Sequence, residues 1–319
     1  MTQYIIRRLV LNLVVLWVVA SLVFFAANLL PGDFAERQVA TNLELADYSD
    51  AIAEARAFLG LDQPLWRRYV DFIADIVTLD FGTSYDTGRS TWSELGRRIP
   101  TTLELGMLIT FVSFAISIPI GVISAIKQNT WIDYVLRGFA ILGIAAPVFF
   151  VAVLMTLVVL KFDLFNIDIV GQPHLWNDPA GALKLYLIPT IAGGVAGGAG
   201  IMRLLRSQML EVMHEDYIRT ARAKGLTEYT VWVRHAMKNA ALPVLTVMGL
   251  TIANIVSGQI ILENMFNIDG LGRFLFTRLI IRDFPPFQGA VLLIAAVIVT
   301  TNLAVDIAYA WLDPRIRYA

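Results

Sequence analysis

Hydrophobic positions gather into six long runs without a single charge: Leu9–Leu30, Leu105–Ile126, Gly138–Leu160, Leu185–Met202, Asn239–Leu262 and Phe284–Val305. A bilayer core of about 30 Å needs about 20 apolar residues of helix. Five of the runs meet that length; the fourth, with 18 residues, is shorter and rich in glycine. The first run is too long for a cleaved signal peptide, and no small-residue cleavage site follows it. The pattern predicts an all-α integral membrane protein of six transmembrane helices. Pro119, Pro147, Pro189 and Pro243 punctuate the runs and predict kinks within them.

The polar stretches between the runs are unequal. Residues 31–100 carry 12 acidic and 7 basic side chains, with helical patterns at Ser49–Leu59 and Leu65–Leu79 separated by Gly60 and Pro64. They predict a small folded cap. Residues 203–238 are basic, 7 against 4, and almost wholly helical in pattern. Short flanks orient the spans, because Lys and Arg are retained in the cytoplasm. With the N-terminus inside, Arg7, Arg8, Lys127, Arg137, the seven basic residues of 203–238, Arg315 and Arg317 make 13 on the inner side. The short outer loops carry Lys161, Lys184, Arg273, Arg278 and Arg282, making 5. Arg97 and Arg98 argue mildly the other way. The balance places both termini in the cytoplasm.

Composition agrees with membrane residence: 57% of the 319 residues are hydrophobic and 16% charged, against about 25% charged in soluble chains. A net charge of −1 offers no basic field for nucleic acid. The chain has no cysteine, which excludes thiol nucleophiles, disulfides and Cys-ligated metals. Its three histidines, His174, His214 and His235, all lie outside the runs, so no His-based catalytic or metal site is expected within the membrane. Glu211 and His214 have the spacing of half a di-iron site, without the second pair and further glutamates such a site needs. The run Gly193–Gly200 has no following lysine and is no phosphate loop. It holds two overlapping Gly-x-x-x-Gly pairs, which let helices approach closely in lipid and also suit a cavity-lining helix.

With no phosphate loop in the chain, ATP-driven transport would require a separate ATPase. The alternative is an ion-coupled secondary transporter or channel acting alone, which calls for acidic residues or histidine within spans. Only Glu104 and Asp306 qualify, both near an interface. A structural or assembly protein is the third reading.

The inner loop separates these readings. It runs Asp216, Tyr217, Ile218, Arg219, Thr220, Ala221, Arg222, Ala223, Lys224, Gly225, Leu226. The spacing predicts a helix from about Tyr217 to Lys224, capped by Asp216 and ended by a left-handed Gly225. Arg222 and Lys224 in its last turn suit the helix dipole. A second helix begins at Thr227 and passes through Trp232, His235 and Met237 to Pro243, entering the fifth span. A short capped helix on the inner face suits docking in a groove of another protein.

The segments Tyr217–Gly225, Val233–Ala240 and Leu242–Leu245 strongly resemble ABC importer permeases of the dipeptide/oligopeptide/nickel group. The resemblance extends to Arg7-Arg8, Leu30–Asp33, Leu59–Pro64, Asp80–Tyr85, Arg98–Leu105, Gly270–Arg273 and Leu312–Tyr318. The long outer loop looks like that of the B-type permease subunit. In the wider family a Glu-Ala-Ala…Gly signature occupies the coupling loop. Aligned on Gly225, the first three positions here are Arg219, Thr220 and Ala221, a departure habitual in the peptide branch.

The resemblance implies a non-catalytic permease with a type I importer fold in the bacterial inner membrane. Residues 1–30 would be the N-terminal cytoplasmic end and first transmembrane helix, 31–100 an extracytoplasmic cap, and 101–319 a five-helix core with a cytoplasmic coupling loop at 203–238. It further implies a second homologous permease, two ATPase subunits that bind ATP and magnesium, and an extracytoplasmic solute-binding protein. Asp216–Leu226 would couple the chain to an ATPase subunit. The implied solutes are peptides, with nickel chelates, opines or oligosaccharides as alternatives.

Overall fold

Proline decides where one of the apolar runs stops being a single helix. In the computed structural model the third run is split into α5 (Trp131–Ala145) and α6 (Val148–Lys161), bent by 111°. Pro147 has no amide hydrogen, and its ring drives the preceding residue out of helical geometry. Ala146 is accordingly extended, at φ −82° and ψ 126°. The run Gly138–Leu160, expected as one span kinked at Pro147, is thus a sharply broken pair of helices. Pro189 behaves differently: it sits buried inside the 35-residue helix α7 (Pro179–Met213), which continues past it.

The structure describes residues 2–29, 32–37, 48–165 and 171–312. The other helices are α1 (Thr2–Leu29), α2 (Tyr48–Phe58), α3 (Leu65–Val77), α4 (Thr91–Ile126), α8 (Asp216–Ala223), α9 (Met237–Met265), α10 (Leu271–Ile281) and α11 (Phe284–Leu312). Among the described residues there is no strand, only an isolated bridge between Thr83 and Ser90. Four helical stretches are long and apolar enough to cross a membrane: Ile6–Leu29, Thr91–Ile126, Pro179–Met213 and Phe284–Val305. The α5–α6 pair makes a fifth if it counts as one span. The fifth expected run falls within α9, where Pro243–Ile252 is a shorter apolar stretch. The end of the first run at Leu30, the tail with Arg315 and Arg317, and the Asp306 side chain lie outside the described residues.

The chain forms two compact units, Met1–Thr102 with Asn267–Val299, and Leu103–Phe266 with Thr300–Ala319. In the first, Gly60 (φ +67°) and Pro64 separate α2 from α3. Tyr69 and Phe72 of α3 pack on Phe24 of α1, with ring centroids 5.4 and 5.2 Å away. The loop before α4 is pinned by Asp283, which is fully buried and accepts hydrogen bonds from Ser84 Oγ at 2.6 Å and the Tyr85 amide at 2.8 Å. Arg278 of α10 joins Asp86 at 2.7 Å and Asp283 at 3.1 Å. Arg98, bonded to Glu94 and Asp269 at 2.8 Å each, ties α4 to the start of the 267–299 segment.

The second unit is built around α7. Its glycines Gly193, Gly194 and Gly198 are buried against Ile109, Val112 and Ser113 of α4. The backbones are so close that a β-carbon on Gly194 would lie 2.6 Å from Val112 Cγ1. Close helix approach through small residues, expected from the Gly-x-x-x-Gly pairs, is what this stripe does. Asp133 of α5 is fully buried and makes a two-pronged ion pair with Arg206 of α7, at 2.8 Å through each oxygen. Ser124 of α4 donates to the same carboxylate at 2.6 Å.

Candidate functional site

Helix α8 lies between α7 and α9 and begins where the chain turns at Glu215, whose ψ of 147° is extended. Asp216 is its first helical residue and not its cap, which corrects the expectation. Glu215 takes the cap position without a side-chain bond, and the Asp216 carboxylate turns to Arg219 at 3.2 Å. Its charge in the first turn still favours the helix dipole. The other end follows the expectation: Gly225 is left-handed at φ +79°. The Gly225 amide donates to the Arg222 carbonyl at 2.9 Å and the Leu226 amide to Ala221 at 3.4 Å, closing the helix end.

Two positions three apart hold the helix down. Ile218 (0% exposed) and Ala221 (6%) insert into a cluster with Leu205 and Met209 of α7, Val231 and Ala236 of the following segment, and Ala240 of α9. The remaining residues of the Asp216–Leu226 stretch, namely Asp216, Tyr217, Arg219, Thr220, Arg222, Ala223, Lys224, Gly225 and Leu226, are exposed. Arg222 reaches Glu228 through Nε at 2.9 Å and Nη2 at 3.3 Å, clipping the end of α8 to the next helical turn. The Tyr217 hydroxyl accepts from Asn239 Nδ2 at 2.6 Å. The result is a short helix fixed by one apolar face and presenting a basic, polar face outward.

The segment after it was only partly foreseen. Helical structure begins at Glu228, next to Thr227, but Val231–Ala236 is a π-helix before α9 resumes at Met237. A π-turn widens the helix by one residue per turn and has no composition signature. Here it brings Val231 and Ala236 into the cluster beneath α8.

Elsewhere in the same unit, the glycine helix has a second role. Gly193 and Gly197 of α7 line a cavity of about 410 Å³ together with Ile109, Gly143, Thr251 and Gln259. Glu104 of α4 is also buried in this unit, accepting from the Leu175 amide at 2.9 Å and bonded to His174 Nδ1 at 2.7 Å. The charge pattern alone did not find Glu94, Asp133, Glu263 or Asp283, all buried. Glu263 and Asp283 adjoin the ends of apolar runs, while Asp133 and Glu94 lie in the polar stretches between runs, where acids are ordinarily solvated. Among the described residues no group of three or more His, Asp or Glu side chains is placed to hold a metal ion. His214 instead directs Nδ1 to the Leu210 carbonyl at 2.6 Å.

Comparison with known proteins gives this arrangement its context. Residues 117–318 match the family model described as the binding-protein-dependent transport system inner membrane component, and residues 1–106 match the model of the N-terminal part of such membrane components. The dipeptide transport system permease protein DppB of Escherichia coli K12 is 34% identical over 345 residues, covering 100% of this chain and 99% of its own. DppB of Alkalihalophilus pseudofirmus is 34% identical over 341 residues, covering 100% of both chains. The glutathione transport system permease protein GsiC of Salmonella typhimurium is 35% identical over 318 residues, again covering 100% of both. With both family models matched and full-length relatives above 30% identity, the chain belongs to the inner-membrane components of binding-protein-dependent transport systems, as a multi-pass permease subunit of an ABC importer.

Proposed function

We propose that this permease pairs with a second homologous permease, and that the pair passes short peptides from an extracytoplasmic binding protein to the cytoplasm. Two ATPase subunits, binding ATP and magnesium, supply the energy. The permease itself carries out no covalent chemistry. In this reading the chain crosses the membrane six times with both termini inside. The α5–α6 pair and α9 supply two of the crossings. The 31–100 segment forms the outer cap that meets the binding protein. The named functions of the relatives, dipeptide and glutathione transport, support peptides as the solute class.

One observation carries the coupling assignment. Asp216–Leu226 is anchored by Ile218 and Ala221 while its other residues are exposed, so a partner can grip the helix without unpacking it. A helix packed into a close-fitting cluster moves with that cluster, because such interiors deform little. Force applied by an ATPase to α8 would thereby reach α7 and α9. The solute route runs past the glycine face of α7.

Gly225 provides the test. Nothing lies within 4 Å of a β-carbon placed there, so the obstacle to substitution is the left-handed backbone alone. Gly225→Val is expected to cost about 1–2 kcal/mol at this position. It should unravel the end of α8 while leaving the buried cluster in place. The expected outcome is about a tenfold drop in solute taken up per ATP hydrolysed by the assembled transporter in vesicles. Gly225→Asn, which tolerates left-handed geometry, retains most of the coupling. Unchanged coupling in Gly225→Val contradicts the assignment.

A further inference from the structure

We propose that a cavity of about 320 Å³ in the first unit, framed by α3 and the neighbouring ends of α1 and α11, binds a zwitterion with a primary ammonium and an anionic oxygen, as in an ethanolamine phospholipid headgroup. Its size falls at the lower end of known small-ligand sites.

Charge lines this cavity without being used. Arg68, Asp71 and Asp75 fall at i, i+3 and i+7 of α3, on one face of the helix, and all three line the cavity together with Asp80. Among the described residues none of these four forms an ion pair. Asp80 spends one oxygen on the Gly82 amide at 2.9 Å. The three carboxylates crowd one another: partial burial, then Asp80 and Asp71, raise the pKa of Asp75. A cation placed among them relieves that repulsion, and Arg68 is left to receive an oxyanion.

A second, independent observation points to a missing partner. Gln288 of α11 is 8% exposed and lines the same cavity, yet its amide makes no hydrogen bond with any described residue. Its amide opens into the cavity, where a bound polar ligand can meet it. Aromatic residues complete the wall, with Phe24, Phe72 and Tyr85 among its lining, and an ammonium is attracted to such rings.

Position favours a lipid headgroup. The cavity meets α1 at Phe24 and Asn28 and α11 at Phe284 and Gln288, where the apolar stretches Ile6–Leu29 and Phe284–Val305 terminate. That is the height at which headgroups lie and at which aromatic residues collect in membrane proteins. A soluble zwitterion such as a short peptide carries the same two charges and is the other source of this chemistry.

The test uses the full chain assembled with its partner subunits. Native mass spectrometry follows titration with dioleoyl-phosphatidylethanolamine and, separately, dioleoyl-phosphatidylglycerol; calorimetry follows titration with dialanine. The ethanolamine lipid is expected to bind at least tenfold more tightly than the glycerol lipid. Asp75→Asn and Arg68→Gln should each weaken it about tenfold, while Glu54→Gln on α2, away from the cavity, changes nothing. Dialanine binding that is lost in the same two variants, with no preference between the lipids, supports the site and assigns a soluble zwitterion to it. Equal binding of both lipids with no dialanine binding overturns the proposal. So does ethanolamine-lipid binding that survives both variants.

Discussion

Gly198→Leu is expected to prevent folded permease from accumulating in the membrane. A β-carbon at Gly198 would stand 2.8 Å from the Ser113 carbonyl oxygen and 3.3 Å from Ser117 Cβ. The first contact is with helix backbone, which cannot swing aside as a flexible side chain could. Leucine adds three further carbons beyond the β-carbon, so α7 and α4 would have to separate. Overpacking a close-fitted core typically costs about 1–3 kcal/mol, and more where backbone must move. Apolar burial gives no compensating gain here, because lipid surrounds the separated helices as comfortably as they surround each other. Against a total stability of about 5–15 kcal/mol, that loss is large. Gly200→Leu is the matched control, since nothing lies within 4 Å of its β-carbon and Gly200 is exposed. The measurement is the amount and melting temperature of purified protein. Wild-type values for Gly198→Leu would disprove the close-packing account of the glycine stripe.

Asp133→Ala should be comparably damaging for an electrostatic reason. The carboxylate has no solvent exposure and receives bonds from Arg206, Ser124 and the Asn129 amide. Arg206 is itself mostly buried, with 18% of its side chain exposed. Removing one partner of a buried pair leaves an uncompensated charge, at a cost of about 3–5 kcal/mol. Removing both charges is a different matter. The double variant Asp133→Leu with Arg206→Met should recover most of the loss, because an apolar pair needs no desolvation of ions. The expected series in melting temperature is therefore wild type and double variant high, Asp133→Ala low. If the single variant melts with the wild type, the pair does not hold α5 to α7.

These two sites mark the boundary between what sequence discloses and what it conceals. Apolar run lengths predict most of the helices because 20 uncharged residues have few other fates, and α1 and α11 follow directly. The left-handed Gly225 was readable because only one residue type ends a helix that way at no steric cost. The bend at Ala146–Pro147 was anticipated as a kink, but its 111° magnitude depends on packing no local pattern encodes. Asp133 and Arg206 are separated by 73 residues, and nothing at either position names the other. Arg206 counts in the sequence only as one of seven basic residues of 203–238, whereas α7 extends to Met213 and sets it against the buried Asp133. The π-helix at Val231–Ala236 is likewise a response to the cluster beneath α8 and leaves no local signal. At the site itself, residue identity gave the helix and its stop. Which two residues face inward came only from the fold.

The central claim is that the outward face of α8 is gripped by an ATPase subunit. Because the chain has no cysteine of its own, single cysteines can report contacts without background. Arg219→Cys and Ala223→Cys place a thiol on the exposed face, and Glu54→Cys places one on α2 as a control. In the assembled transporter, treated with a short bifunctional thiol reagent, Arg219→Cys and Ala223→Cys should cross-link to the ATPase and Glu54→Cys should not. Absence of ATPase cross-links from both α8 positions, in a complex that still transports, would contradict the account.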